Sequence, residues 1–168
     1  MEQFKDIYKQ HYTSIYRLVS KFRVNSHEAE DIVQDVFVKL YLQFKSGNQV
    51  QYPKTWLYKV AVNVCINTVN RRKEIEVLES ISHLEYGTSD SLESDIDQNE
   101  REEIIRSALL KLKEQERLIV ILYSEGLSYK EIAEVSGVKF TSVSQNLSRA
   151  LEKLRPLLKN HYYEMLNQ

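Results

Sequence analysis

Apolar residues recur along this chain at spacings of three and four, the pattern of helices that bury one face. Phe4, Ile7, Tyr8, His11, Tyr12, Ile15, Val19 and Phe22 fall on one stripe, which predicts a first helix ending near Phe22. Asn25 or Ser26 is placed to cap a second helix. There Ala29, Ile32, Val33, Val36, Phe37, Leu40, Tyr41 and Phe44 keep the helical spacing, and Glu28, Asp31, Gln34, Asp35 and Lys39 take the outer side. Ser46, Gly47 and Asn48 break the pattern, and a loop runs to Tyr52. Pro53 suits the first turn of a third helix, predicted to reach about Lys73. Trp56, Leu57, Val60, Ala61, Val64 and Thr68 point inward on it; Lys59, Asn63, Asn67, Asn70 and Arg71 point outward, with Arg72 and Lys73 at its end.

The periodicity then lapses. Residues 74–98 are acidic and Ser-rich, and GTSDSLESDIDQNE reads as a mobile tether that cannot bury enough surface to fold. Helical spacing resumes near Glu100, first through Ile104, Ile105, Ala108 and Leu109, then through Leu118, Ile119, Ile121 and Leu122. The most informative stretch is residues 126–156, GLSYKEIAEVSGVKFTSVSQNLSRALEKLRP. Ser128 and Glu131 form a capping box for a short helix, and Gly137 supplies the positive φ of a tight turn. A longer helix follows, apolar at Val143, Leu147, Ala150, Leu151 and Leu154 and predicted to end by Pro156. Its other face offers Ser142, Gln145, Asn146, Ser148 and Arg149, donors and acceptors suited to base edges and phosphates. Short helix, glycine turn and longer helix make a helix-turn-helix, although any helical hairpin shares the apolar pattern. The expectation is an all-α protein: two small helical domains, 1–73 and 104–168, joined by a flexible acidic linker, 74–103, with the helix-turn-helix in the second.

Charge sharpens this division. The formal net charge of −1 conceals 12 basic and 6 acidic side chains in residues 1–73, 1 and 11 in 74–103, and 10 and 7 in 104–168. Two basic blocks flank an acidic segment. On the third helix, an amide-rich strip ends in three cations beside Tyr52, Trp56 and Tyr58. Cations neutralise phosphates and aromatic faces stack unpaired bases. An ordinary solvated helix with cations near its C-terminus shows the same features.

Other chemistries fit poorly. Four Gly and two Pro argue against a turn-dense β fold. The longest apolar run, 118–123, is too short to span a membrane, so no direct membrane insertion is expected. No charged-then-apolar opening resembles a secretion signal, and the lone Cys65 reads as a small buried residue of a cytoplasmic protein. His27, Glu30 and Asp31 have spacings that could ligate a metal, but no second Glu-x-x-His accompanies them. His11, His27, His83 and His161 are scattered, so no metal and no cofactor is expected.

AEDIVQDVFVKLY (29–41), PKTWLYKVAVNVCINTVNRRK (53–73) and residues 110–156 down to RALEKLRP resemble, in order and spacing, the extracytoplasmic-function sigma factors of bacterial RNA polymerase. The resemblance implies a non-enzymatic initiation factor whose second helix docks core polymerase through Glu28, Asp31, Gln34 and Asp35. It implies minus-ten recognition and melting by Trp56, Lys59, Asn63, Asn67, Asn70, Arg71 and Arg72, together with the loop 45–52. It implies minus-thirty-five recognition by Lys139, Thr141, Ser142, Ser144, Gln145, Ser148 and Arg149. The partners implied are core RNA polymerase, promoter DNA as duplex and as melted non-template strand, and an anti-sigma protein, membrane-bound or free. The acidic segment resembles the family's linker, which runs through the polymerase. The chain departs from the family at Val62-Asn63 and Asn67, and at Ser144, Gln145 and Asn146, where basic residues are common. A polymerase-independent helix-turn-helix regulator is the rival reading; a helical metalloenzyme is a weaker one.

Overall fold

The structure, a computed structural model, describes residues 2–82 and 99–166, with side chains for 2–77 and 103–159. These residues form seven α-helices and no strand: α1 (Glu2–Ser20), α2 (Ser26–Lys45), α3 (Pro53–Ser82), α4 (Asn99–Leu110), α5 (Glu114–Ser124), α6 (Tyr129–Ser136) and α7 (Phe140–Leu166). They group into two compact units, Met1–Glu85 and Tyr86–Gln168. No helix among the described residues is long and apolar enough to cross a membrane.

In the first unit α1, α2 and α3 all pack on one another. Asn25 caps α2 in extended backbone geometry. Its Oδ1 accepts the Glu28 N–H at 2.9 Å, and its own N–H donates to Glu28 Oε2 at 2.8 Å. Two of the donors that a helix start leaves unmatched are thus satisfied reciprocally. The predicted stripe of α2 is buried from Ala29 to Leu40, meeting Ile15, Leu18 and Val19 in the same core set; Tyr41 stays exposed.

Along α3 the buried arc differs from the predicted one. Leu57, Tyr58, Ala61, Val62 and Cys65 are buried, whereas Trp56, Val60, Val64 and Thr68 are half-buried. The reason is that α3 packs against both α1 and α2, so it needs a wider apolar arc than one partner would. Tyr58, at 2% exposure, is core and no stacking surface. Burial also pushes the Cys65 thiol up to about 12, in keeping with a small apolar residue.

α3 also runs nine residues beyond Lys73, to Ser82. The acidic onset at Glu74 does not break a helix, because EIEVLESIS contains neither Gly nor Pro and each added residue gains a backbone bond. The first helix closes at Ser20, two residues before Phe22. The segment expected to be a tether lies outside the described residues, except for its ends in α3 and α4.

The second unit is built around α7, against which α4, α5 and α6 pack. Ser128 caps α6: its Oγ accepts the Glu131 N–H at 3.3 Å and its N–H reaches Glu131 Oε2 at 2.7 Å. Gly137 ends α6 at φ 73°, its N–H bonded to the Ala133 carbonyl at 2.9 Å. Val143, Leu147, Ala150 and Leu154 are buried as expected, but Leu151 is 40% exposed. α7 continues through Pro156 to Leu166 rather than ending there. An interior proline costs a helix about 3 kcal/mol. Here Leu157, directly after it, packs on Ala108, Leu112, Ala150 and Leu154, which holds the next turn in place.

Candidate nucleic-acid and polymerase interfaces

Spacing along α3 sorts its polar residues into two directions. Trp56, Lys59, Asn63, Asn67 and Asn70 follow one another at intervals of three and four, so they lie on one line of the helix. Lys59, Asn63, Asn67 and Asn70 are exposed, Trp56 is half-buried, and Tyr52 stands 65% exposed just before the helix. Arg71 is exposed beside this line. Arg72 points elsewhere.

The Arg72 guanidinium pairs with Glu28 Oε1 and donates to the Arg23 carbonyl at 2.9 Å, tying α3 to the start of α2. Glu28 is therefore engaged twice, through one oxygen in the α2 cap and through the other with Arg72. Burial raises the Glu28 carboxyl, but the Asn25 N–H and the Arg72 guanidinium outweigh it and hold the group below its usual range. Asp35 pairs with Lys39 one turn along. Asp31 and Gln34 remain exposed on the same side.

The residues expected to serve two separate surfaces thus meet in part. Glu28, Asp35 and Lys39 of α2 face Asn67, Arg71 and Arg72 of α3 across an open groove of about 620 Å³, floored by Val64 and Thr68. Trp56, Lys59, Asn63 and Asn70 do not line it, nor do Asp31 and Gln34. Lys39, an α2 residue outside the expected contact set, is the cation the groove adds; its signal was the i, i+4 spacing from Asp35. Among the described residues no cluster of three His, Cys, Asp or Glu could hold a metal.

On α7, Thr141, Ser144, Gln145, Ser148 and Arg149 are exposed, with Lys139 just before them and Ser142 half-buried. The Ser142 N–H is spent on the Lys139 carbonyl at 2.8 Å. Farther along, Lys153 binds Glu116 Oε1 at 2.6 Å and so braces α7 against α5. That hydrogen bond is the main cause holding the Glu116 carboxyl low. The exposed cations on this side are Lys139 just before α7, Arg149 at its centre and Arg155 farther along. Phe140, absent from the sequence-based candidates, stands exposed in the first turn. Its spacing, three residues before Val143 and seven before Leu147, puts it on the edge of the buried stripe, so the sequence pattern gave no signal of its exposure.

Comparison with known proteins identifies the family. Residues 7–75 match the family model described as Sigma-70 region 2, and residues 102–154 match Sigma-70, region 4. The chain is 30% identical to the ECF RNA polymerase sigma factor SigW of Bacillus subtilis, over 92% of this chain and 87% of that protein. The chain belongs to the ECF sigma factors of RNA polymerase. A second sigma factor of Bacillus subtilis, YlaC, is 31% identical over 92% of this chain and 91% of its own length. The fold is also that of a solved sigma factor, RpoE in complex with the anti-sigma factor NepR from Bartonella quintana. The TM-score is 0.71 at 23% identity, covering 95% of this chain and 98% of that one. CnrH in complex with the cytosolic domain of CnrY superposes with a TM-score of 0.69 at 20% identity, covering 94% and 88%. As a sigma factor the chain directs RNA polymerase in transcription initiation, and a polymerase-independent regulator is not favoured.

Proposed function

We propose that the two units divide the work of initiation. The outer face of α2, with Asp31 and Gln34 exposed and Glu28 and Asp35 at the groove, docks core RNA polymerase. The α3 line of Trp56, Lys59, Asn63, Asn67 and Asn70, with Arg71 and the Tyr52 loop, holds the minus-ten element and its melted non-template strand. α7 enters the major groove of the minus-thirty-five element through Lys139, Thr141, Ser142, Ser144, Gln145, Ser148 and Arg149. Arg72, expected among the DNA contacts, serves instead to fix α3 on α2.

The mechanism is binding and strand opening, with no covalent step. Extruding a base costs a few kcal/mol, and stacking on an aromatic face returns about 1–3 kcal/mol per base. The protein acts in the cytoplasm, where polymerase and promoter are. An anti-sigma protein, membrane-bound or free, is a further proposed partner; the solved sigma factor RpoE of like fold was captured with the anti-sigma factor NepR.

The observation that carries this reading is the occurrence of both sigma regions, in order, on one chain whose polar faces lie outward. Copurification with core polymerase tests it. Full-length protein should retain core polymerase, and the Asp31→Lys, Asp35→Lys double variant should lose most of it at unchanged helical content. Undiminished recovery by that variant would remove the α2 face from the contact. Tight, specific binding of promoter duplex by the free protein, unaltered by polymerase, would favour the regulator reading.

A further inference from the structure

Phe140 opens α7 and is 59% exposed. A phenylalanine gains most by burial, so a ring held in water at a helix start calls for an explanation other than stability. Packing does not supply one. The two staple positions that fix how the chain enters α7 are Val138 and Val143, and both are buried. No other aromatic ring among the described residues lies against Phe140.

Its neighbours on the helix are informative. Ser144 follows one turn on, on the polar side of the ring, while Val143 and Leu147 lie on its buried side, so the exposed ring stands where the apolar stripe meets the polar face. Ser144 is short, so the ring is the largest apolar group on the outward side of the first two turns. The N-terminal residues of a recognition helix are those that reach base edges. The major groove presents mostly hydrogen-bonding atoms and one apolar feature, the C5-methyl of thymine. Ser, Gln and Arg read the polar atoms; the Thr141 methyl and, with far more apolar surface, the Phe140 ring suit the methyl.

We propose that Phe140 reads a thymine methyl in the minus-thirty-five element, giving this sigma factor a specificity contact that hydrogen bonds alone cannot make. The proposal rests on the assignment of α7 to duplex DNA above. Gln145 is matched to adenine N6 and N7, so the pair of residues together favours A·T pairs near the start of α7.

The test uses holoenzyme assembled from full-length protein and core polymerase, and a duplex library randomised over the minus-thirty-five element. Wild-type holoenzyme should select a thymine at one position that becomes degenerate for Phe140→Ala, while positions lost in Gln145→Ala stay selected. Replacing that thymine by deoxyuridine should then weaken wild-type binding about three- to fivefold, the effect of one buried methyl, and leave Phe140→Ala binding unchanged. An identical selected sequence for wild type and Phe140→Ala, or no effect of deoxyuridine, overturns the proposal. If Arg149→Ala still weakens binding in that case, α7 remains the DNA-reading helix and only the ring's role is lost. If neither Gln145→Ala nor Arg149→Ala alters selection or affinity, the assignment of α7 itself falls. Loss of core polymerase binding by Phe140→Ala in the absence of DNA also overturns it, since the ring would then be a protein contact.

Discussion

The α3 surface and the α7 surface are both polar faces of amphipathic helices, yet they are prepared differently. Near the end of α3, Arg72, Glu28, Asp35 and Lys39 are already tied to partners within the unit. On α7, Thr141, Ser144, Gln145, Ser148 and Arg149 make no side-chain hydrogen bond or ion pair among the described residues. On the first surface the Arg72–Glu28 pair ties α3 to α2 and the Asp35–Lys39 pair lies within α2, while Lys59, Asn63, Asn67 and Asn70 stay exposed. The second leaves its hydrogen-bonding groups to solvent, and if it binds as proposed, those side chains must be ordered at a cost the contacts have to exceed. The difference teaches that a charged residue at a candidate interface is informative only once its intramolecular partners are known.

The largest effect is expected from the open surface. Joint replacement of Gln145 and Arg149 by Ala should lower holoenzyme affinity for a minus-thirty-five duplex about ten- to a hundredfold, with the melting temperature unchanged. Fluorescence anisotropy and thermal unfolding of the same preparation check both halves; a fall in melting temperature would mean that α7 is not free of structural duty. Next comes Arg72→Ala, which should cost the first unit about 1–2 kcal/mol, visible as a several-degree fall in melting temperature. Unchanged stability with impaired promoter opening would return Arg72 to the DNA set and erase the contrast. Asn63→Ala sits between the two surfaces in kind. It should shift stability by less than about 0.5 kcal/mol yet reduce permanganate reactivity of promoter thymines in the open complex. Normal reactivity would take Asn63 out of the minus-ten contact.

The smallest effect concerns acid. The Glu28 carboxyl is held below its usual 4.5, so its contribution to stability is present above that value. As pH falls from about 4.5 through the lowered folded value, that contribution is lost. Urea midpoints from pH 6 to pH 3 should therefore drop less for Glu28→Gln than for the native chain, the variant having already given up the interaction. Parallel curves would show that the pair contributes nothing measurable, as many exposed pairs do.

Much of the fold was legible because its determinants are local. The caps at Asn25 and Ser128 span three residues each, and Gly137 announces its turn alone. α2 was readable from its stripe because nearly all of that stripe meets one core. α3 was misread in register because two neighbours share it, and only the assembled unit shows that Tyr58 rather than Trp56 lies inside. Its extension past Lys73 was hidden by taking charge for a boundary. Pro156 reads as a stop from sequence alone because the compensating contact of Leu157 with Ala108 and Leu112 is distant in sequence. For the candidate surfaces, sequence supplied the exposed polar residues Thr141, Ser144, Gln145, Ser148 and Arg149 of α7 but missed Phe140. It could not supply the Arg72–Glu28 tie, whose partners are 44 residues apart.

That tie has a consequence for the order in which the first unit assembles. Glu28 closes the α2 cap across three residues and meets Arg72 across 44. The cap can form as soon as the chain turns at Asn25, at small loop-closure cost, whereas the Arg72 contact waits until α3 has docked. One carboxylate thus takes part in an early event through one oxygen and a late event through the other. Loss of the Asn25 side chain then acts mainly on the folding rate, loss of Arg72 mainly on the unfolding rate, and loss of Glu28 on both. Chevron plots check this: Asn25→Ala should mainly lower the folding limb and Arg72→Ala mainly raise the unfolding limb.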